Sequence, residues 1–422
     1  MLRNTAIPLL LCIALIATIT GCGRAPAPQF QSNGVEWLKQ EKVNLGVDDQ
    51  GEPERFAKAT REEVDRIMHS LFGTPNHARF PFVDTTNEKP SIVSLENLKL
   101  AAGAVASDDD GTPQGLYREH CALCHGIHGD GAGPNAAILE PYPRDFRMGR
   151  FKFKSTPQLH PPTNDDLRKI LKQGIPGTGM PEFSRLDDAE IDALIDYVKY
   201  LSMRGQFERY LMNEVASLPN DSFFENENQR RDLLPADVQP AEAEVAEQAN
   251  LPTASVSSQP LKEFLFDFYA EQFGDQYKRF VLDRWQSVND AESIKRNAPP
   301  EAPAWIDPEH PEHQNSVEAG RALFLGKGTC YQCHGRDGKG QGELVGYDAW
   351  TDDWIKSPGV DANDKKTYRD FLKAGAHRPV LARPRNLSQA IYRGGGEPAT
   401  IYLRIANGIE GSPMPAASAL KP

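Results

Sequence analysis

Four cysteines of this chain stand in two pairs of one shape, Cys121-Ala-Leu-Cys124-His125 and Cys330-Tyr-Gln-Cys333-His334. Two thiols at this spacing can supply half of a zinc site, act as a redox dithiol, or add across the vinyl groups of a haem while a neighbouring imidazole reaches the iron. Zinc needs further ligands, and a thioredoxin-type dithiol needs a strand-helix-strand setting. A histidine directly after both pairs points instead to two covalently bound haem c groups, with His125 and His334 as proximal ligands.

The opposite face of each iron needs a ligand of its own. Each pair is followed by a Gly/Pro-rich stretch that ends in methionine: Gly174-Ile175-Pro176-Gly177-Thr178-Gly179-Met180-Pro181 and Gly408-Ile409-Glu410-Gly411-Ser412-Pro413-Met414-Pro415. Met180 and Met414 are the expected sixth ligands. A thioether raises the reduction potential, and an iron with both axial positions filled passes electrons instead of binding substrate. Met148 competes with Met180 in the first unit. His160 and His377 are further alternatives, read as surface histidines. Between the pairs and the methionines, Pro143-Arg144-Asp145-Phe146 matches Pro384-Arg385-Asn386-Leu387, so one module occurs twice. Arg144 and Arg385 are either partners for haem propionates, which guanidinium suits, or solvated arginines.

Elements must hold these residues in place, and 422 residues are enough for two domains with linking material. The first haem unit, 112–205, closes with a helix in which Asp187 and Glu190 form a capping box and Ile191, Leu194, Ile195, Val198 and Leu201 share a buried face. Residues 35–110 form an N-terminal extension with helical stretches such as Arg61 to Phe72, broken by Pro75, Pro81 and Pro90. Residues 206–314 are a helical insert and linker. Their 236–260 part has the Glu/Ala/Pro/Gln/Ser composition of a linker, and Leu261 to Trp285 is an aromatic helix read as core rather than docking face. The second unit, 315–422, enters its cysteine pair through a helix containing Gly320, Ala322, Leu323 and Phe324.

Both units resemble class I cytochrome c domains, in the order Cys-x-x-Cys-His, loop, Gly-Ile-x-Gly-x-x-Met-Pro. The resemblance covers about half of the chain. It implies a mainly α fold: two small helical domains, each around one haem with its terminal helices crossing, plus a helical and irregular extension and insert. In that family a proline carbonyl after the attachment motif accepts the hydrogen bond of the ligand imidazole. Pro134 fits this in the first unit, and the second has no matching proline. The second unit also lacks the crossing helix after Met414. The chain is therefore expected to be a truncated product; otherwise a partner or another segment such as Leu261 to Trp285 covers that haem.

At the other end, Arg3, the apolar run Ile7 to Thr20 and Ile19-Thr20-Gly21-Cys22 form a secretory signal over 1–21 that resembles a bacterial lipobox. The resemblance implies cleavage before Cys22, diacylation of its sulfur, and a tether over 22–34 that anchors an extracytoplasmic lipoprotein to the periplasmic face of a membrane. A net charge of −12 argues against nucleic acid as a partner and is compatible with a basic redox protein. The expected function is that of a membrane-anchored dihaem c-type cytochrome. It would carry single electrons between partners such as a quinol-oxidising complex, a terminal oxidase or a periplasmic dehydrogenase. The alternative is a peroxidase-like dihaem enzyme or the haem subunit of a periplasmic dehydrogenase. No catalytic residue is assigned, and no nucleotide fingerprint is present.

Overall fold

The computed structural model describes residues 27–44, 58–81, 91–217, 259–417 and 420. The expected signal segment, Cys22 with the start of its tether, and the linker over 236–258 lie outside them. Within them the chain is mainly α, as expected.

The first unit holds α1 (Gly34–Asn44), α2 (Lys58–Phe72), α3 (Leu95–Ala101), α4 (Leu116–His120), α5 (Ala122–His125), α6 (Asn164–Gln173) and α7 (Asp188–Ser217). A short antiparallel ribbon pairs β1 (Ala106–Ser107) with β2 (Pro113–Gln114). The start of α7 carries the expected reciprocal cap: the Asp187 N–H donates to Glu190 and the Glu190 N–H to Asp187, both at 2.9 Å. Its expected face, Ile191, Leu194, Ile195, Val198 and Leu201, is buried. The helix does not stop near 205. Its apolar stripe continues through Phe207, Leu211 and Met212, all buried, so the expected boundary between 205 and 206 cuts through a continuous helix.

That longer stripe explains the flanking segments. Helices α1, α2, α3, α4 and α6 all lie against α7, and Trp37, Leu71, Phe72 and Leu98 share its core. The extension is thus part of the first unit's interior. Beyond the linker, α8 (Gln259–Tyr277) packs along α2, and Tyr277 meets Phe207 edge-on at 5.0 Å and Phe72 at 5.9 Å. After α9 (Asp283–Ser287), which buries Trp285, comes α10 (Ala291–Asn297). Of the described side chains in the 261–285 segment, Tyr269, Tyr277, Val281, Leu282 and Trp285 are buried in the core of the first unit.

The second unit comprises α11 (His313–Leu325), α12 (Tyr331–His334), α13 (Ala349–Asp352), α14 (Lys365–Lys373) and α15 (Pro398–Asn407), with β3 (Gly346–Tyr347) antiparallel to β4 (Leu381–Ala382). Its interior is small, built on Trp350, Trp354 and Phe371, the last two stacked at 4.8 Å. Unlike α4, which buries Leu116 and Tyr117, the entry helix α11 buries no side chain. The units meet along a polar seam in which the Tyr142 hydroxyl donates to Asp348 at 2.8 Å and Lys152 pairs with the same carboxylate.

Candidate haem sites

Each site is built on one turn of helix that sets the second cysteine and the histidine side by side. The His125 N–H donates to the Cys121 carbonyl at 2.8 Å, and the His334 N–H to the Cys330 carbonyl at 2.9 Å. The chain then doubles back under that turn. Gly131 and Gly340 bond the carbonyls of His125 and His334, and Gly133 and Gly342 bond those of Cys124 and Cys333, both of the latter at 3.1 Å. A Cβ at Gly133 would lie 2.5 Å from the Leu123 carbonyl oxygen, and one at Gly342 2.2 Å from that of Gln332. Only glycine admits such an approach. Glycines 126, 129, 131 and 133 recur as 335, 338, 340 and 342, a signal in the sequence that the reading of the motifs left unused.

The imidazoles are aimed by backbone. His125 Nδ1 lies 3.0 Å from the Arg144 carbonyl and His334 Nδ1 3.3 Å from that of Arg385. A carbonyl only accepts, so Nδ1 carries the proton in both rings and Nε2 keeps its lone pair for iron. This corrects the expectation for Pro134: the carbonyl that orients His125 belongs to Arg144, because the loop after the glycines brings the Pro-Arg segment back beneath the ring. The matching contact at Arg385, though longer, gives the second histidine a backbone acceptor of its own despite the missing proline. Burial pushes His125 down to about 4, with the Arg144 carbonyl acting against it, so the ring is neutral at neutral pH. Phe146 stacks on it at 4.5 Å. Burial likewise pushes the Cys121 thiol up to about 12.

The methionine loops are closed by the same two internal bonds. The Ile175 N–H donates to the Met180 carbonyl and the Ile409 N–H to that of Met414, both at 3.1 Å. The Thr178 hydroxyl donates to the Ile175 carbonyl and the Ser412 hydroxyl to that of Ile409, both at 2.8 Å. Gly177 and Gly411 both sit at a φ of 70°. The first loop bears on the attachment side, where Phe183 meets His120 edge-on at 6.0 Å. The second bears on the ribbon after its own attachment loop, where a Cβ at Gly346 would lie 2.6 Å from Pro413. Met180 and Met414 are both part-buried. Of the competing ligands, Met148 and His377 line a cleft at the seam with Lys39 and Trp354, and His160 is exposed with Nδ1 turned to the Gln158 carbonyl.

The residues present fit a covalently attached haem. Cys121, Cys124, Cys330 and Cys333 are all free thiols. Arg144 rests its guanidinium 3.5 Å over the Trp350 ring, and its Nη1 is buried without a hydrogen-bond partner, an orphaned donor that a haem carboxylate would satisfy.

Comparison with known proteins agrees with this chemistry for the first unit. Residues 108–198, which include the first cysteine pair and Met180, match the family described as cytochrome c oxidase, cbb3-type, subunit III. The chain is 34% identical over 103 residues to the dihydro-haem d1 dehydrogenase of Pseudomonas aeruginosa, a stretch covering 24% of this chain and 17% of that protein. It thus spans about a sixth of the length of that curated relative. A solved chain of the reducing HAO-like protein complex of Kuenenia stuttgartiensis is similar at a TM-score of 0.38 and 18% identity, over 74% of this chain and 90% of that one, too distant to carry an argument. Residues 108–198 thus carry a c-type cytochrome domain, which supports covalent haem c on this chain.

Proposed function

We propose that the protein is a dihaem c-type cytochrome, held at the periplasmic face of a membrane by acylated Cys22 and passing single electrons between redox proteins. The observation that carries the second haem is the repeat itself. The His334 turn, the carbonyl behind its Nδ1, the glycine-lined loop and the Met414 loop repeat the main hydrogen bonds of the first site, and such agreement has no other evident use on a segment that also carries free Cys330 and Cys333. A haem with histidine and methionine on its two faces takes up and releases one electron without opening a coordination position.

The chain's own residues do the rest. Arg144 and Arg385 each turn a carbonyl to a proximal histidine and carry a cation on the same residue, so each is set to orient a ring and to pair with a haem carboxylate. The glycine loops press backbone against the attachment turn, which leaves little room for water there. The partners fitting this reading are a quinol-oxidising complex, a terminal oxidase or a periplasmic dehydrogenase. Similarity to a protein named as a dehydrogenase favours the last as electron donor, and gives a second reading in which the chain is the haem subunit of such an enzyme.

Optical spectra of the holoprotein, ferric and ferrous, with and without carbon monoxide, test this reading. Two haems per chain, a far-red band of methionine-ligated ferric iron and no response to carbon monoxide are expected. A ferrous haem that binds carbon monoxide would instead mean an open iron and favour a peroxidase-like enzyme. For the anchor, Cys22→Ala is expected to move the protein from the detergent-requiring membrane fraction to the soluble one, since acylation needs the sulfur. Unchanged partition would remove the lipid from the proposal.

A further inference from the structure

Residues 152–160 leave the first haem site and run along the second unit. Lys154 is nearly enclosed, its side chain 3% exposed, and it forms an ion pair with Glu410, whose side chain is 6% exposed. The Lys154 ammonium also donates to the His160 carbonyl, and the Leu159 N–H donates to the same Glu410 oxygen at 3.2 Å. Backbone oxygens of the strap are taken by the helix leading into the second methionine loop: Arg404 donates to the Lys154 carbonyl, and Asn407 to that of Ser155 at 3.0 Å. A Cβ at Gly408, the first residue of the loop, would lie 2.6 Å from Gln158 Nε2.

Glu410 stands where the first loop has Pro176, within a loop closed by the same internal bonds. The supports of the two loops differ. The first loop is tied onward into its own unit, by the Phe183 N–H to the Leu171 carbonyl at 2.8 Å, by Lys172 to the Leu186 carbonyl at 2.9 Å, and then by the capped start of α7, and it also takes a bond from Arg393 to the Gly177 carbonyl at 3.1 Å. The second is tied by the Ala417 N–H to the Ile405 carbonyl at 2.9 Å, by the Ala349 N–H to the Gly411 carbonyl at 3.0 Å and, at its entry, by the buried ion pair with the strap of the first unit, which has no counterpart at the first loop because Pro176 stands there. A buried carboxylate that loses its cation is left uncompensated and turns toward water. At Glu410 that turn would carry with it a loop whose methionine lies four positions on.

We propose that Lys154 of the first unit is a positioning residue for the second haem: through its buried ion pair with Glu410 it pins the 408–415 loop so that Met414 stays on the iron. This rests on the reading of Met414 as axial ligand, and it makes the first unit a structural part of the second haem site.

The test uses the full-length holoprotein. Lys154→Met keeps the length and apolar stem of the side chain and removes its charge. Glu410→Gln is the milder partner variant, because it keeps an acceptor for the Leu159 N–H. In both, the far-red band is expected to fall to half and one carbon monoxide to bind per chain in the ferrous state, with the haem count unchanged. Lys154→Arg should restore the full band, which a general packing defect would not permit. Met414→Ala opens the second iron by itself, so adding Lys154→Met to it should raise carbon monoxide binding no further than one per chain, which assigns the opened iron to the second site. The proposal is overturned if both charge-removing variants keep the whole band and bind no carbon monoxide, or if Lys154→Met with Met414→Ala binds two carbon monoxide per chain. Failure of the underlying reading would show earlier and differently, as a parent protein in which one ferrous haem already binds carbon monoxide.

Discussion

Replacing Cys330 and Cys333 together by alanine is expected to halve the haem bound per chain, from two to one, with the first site's spectrum intact. Covalent attachment depends on the two thiols, and no other cysteine stands near this turn: among the described residues the free thiols are Cys121, Cys124, Cys330 and Cys333. Without thioether bonds the group would be held by its axial ligands alone, and a denaturing extraction would remove it. The measurement is the haem-to-protein ratio of the denatured chain, together with its intact mass, which should fall by one haem beyond the change of the two side chains. The first unit should be untouched, because its core around α7, with Phe72, Tyr200, Phe207 and Tyr277, takes no side chain from the second unit. A parent protein already at one haem per chain, unchanged by the double substitution, would reduce the second cysteine pair to a relic of duplication. The mirror substitution of Cys121 and Cys124 should remove the other haem, so the two variants together count the sites one at a time.

How much of this was legible beforehand follows from the range over which the residues interact. The attachment turns, the Asp187 and Glu190 cap and the apolar stripe of α7 depend on residues within a few positions of one another, and their periodicity is visible in the sequence. The carbonyl that orients His125 was not. Pro134 is near in sequence, whereas Arg144 is brought in by a loop whose path is set by glycines that accept backbone at distances no Cβ allows. The role of 261–285 was half legible: its aromatic composition signalled a core, but which core depended on the stripe of α7 running on to Ser217. The strap was hidden altogether, because Lys154 and Glu410 lie 256 positions apart, Lys154 belongs to no motif and Glu410 fills only the variable position of one. Charged residues in Gly/Pro-rich loops read as solvated until a structure shows them enclosed.

The two methionine loops invite a matched pair of substitutions whose outcomes should differ. Gly177 and Gly411 share a left-handed φ of 70°, so alanine at either costs on the order of 1–2 kcal/mol in backbone strain. Their surroundings separate them. A Cβ at Gly177 would come to 3.2 Å from an Arg385 nitrogen and 3.3 Å from Ile391, where the long Arg385 side chain can yield. A Cβ at Gly411 would fall 1.3 Å from a carbon of the Trp350 ring, which also carries the Arg144 guanidinium at 3.5 Å from its centroid. That overlap can be relieved only by moving the loop or the ring, at a further cost of roughly 1–3 kcal/mol. Gly411→Ala is therefore expected to lower the denaturation midpoint well below that of Gly177→Ala and to weaken the far-red band by up to half as the Met414 loop is pushed away. Trp350→Leu should partly rescue Gly411→Ala, because the smaller side chain makes room for the methyl group, and should do nothing for Gly177→Ala. Equal losses in the two glycine variants, with no coupling to position 350, would mean that backbone strain alone governs both loops. A coupled loss confined to Gly411 would place Trp350, in contact with both the Arg144 that orients His125 and the loop that carries Met414, as the side chain through which the two haem sites bear on one another.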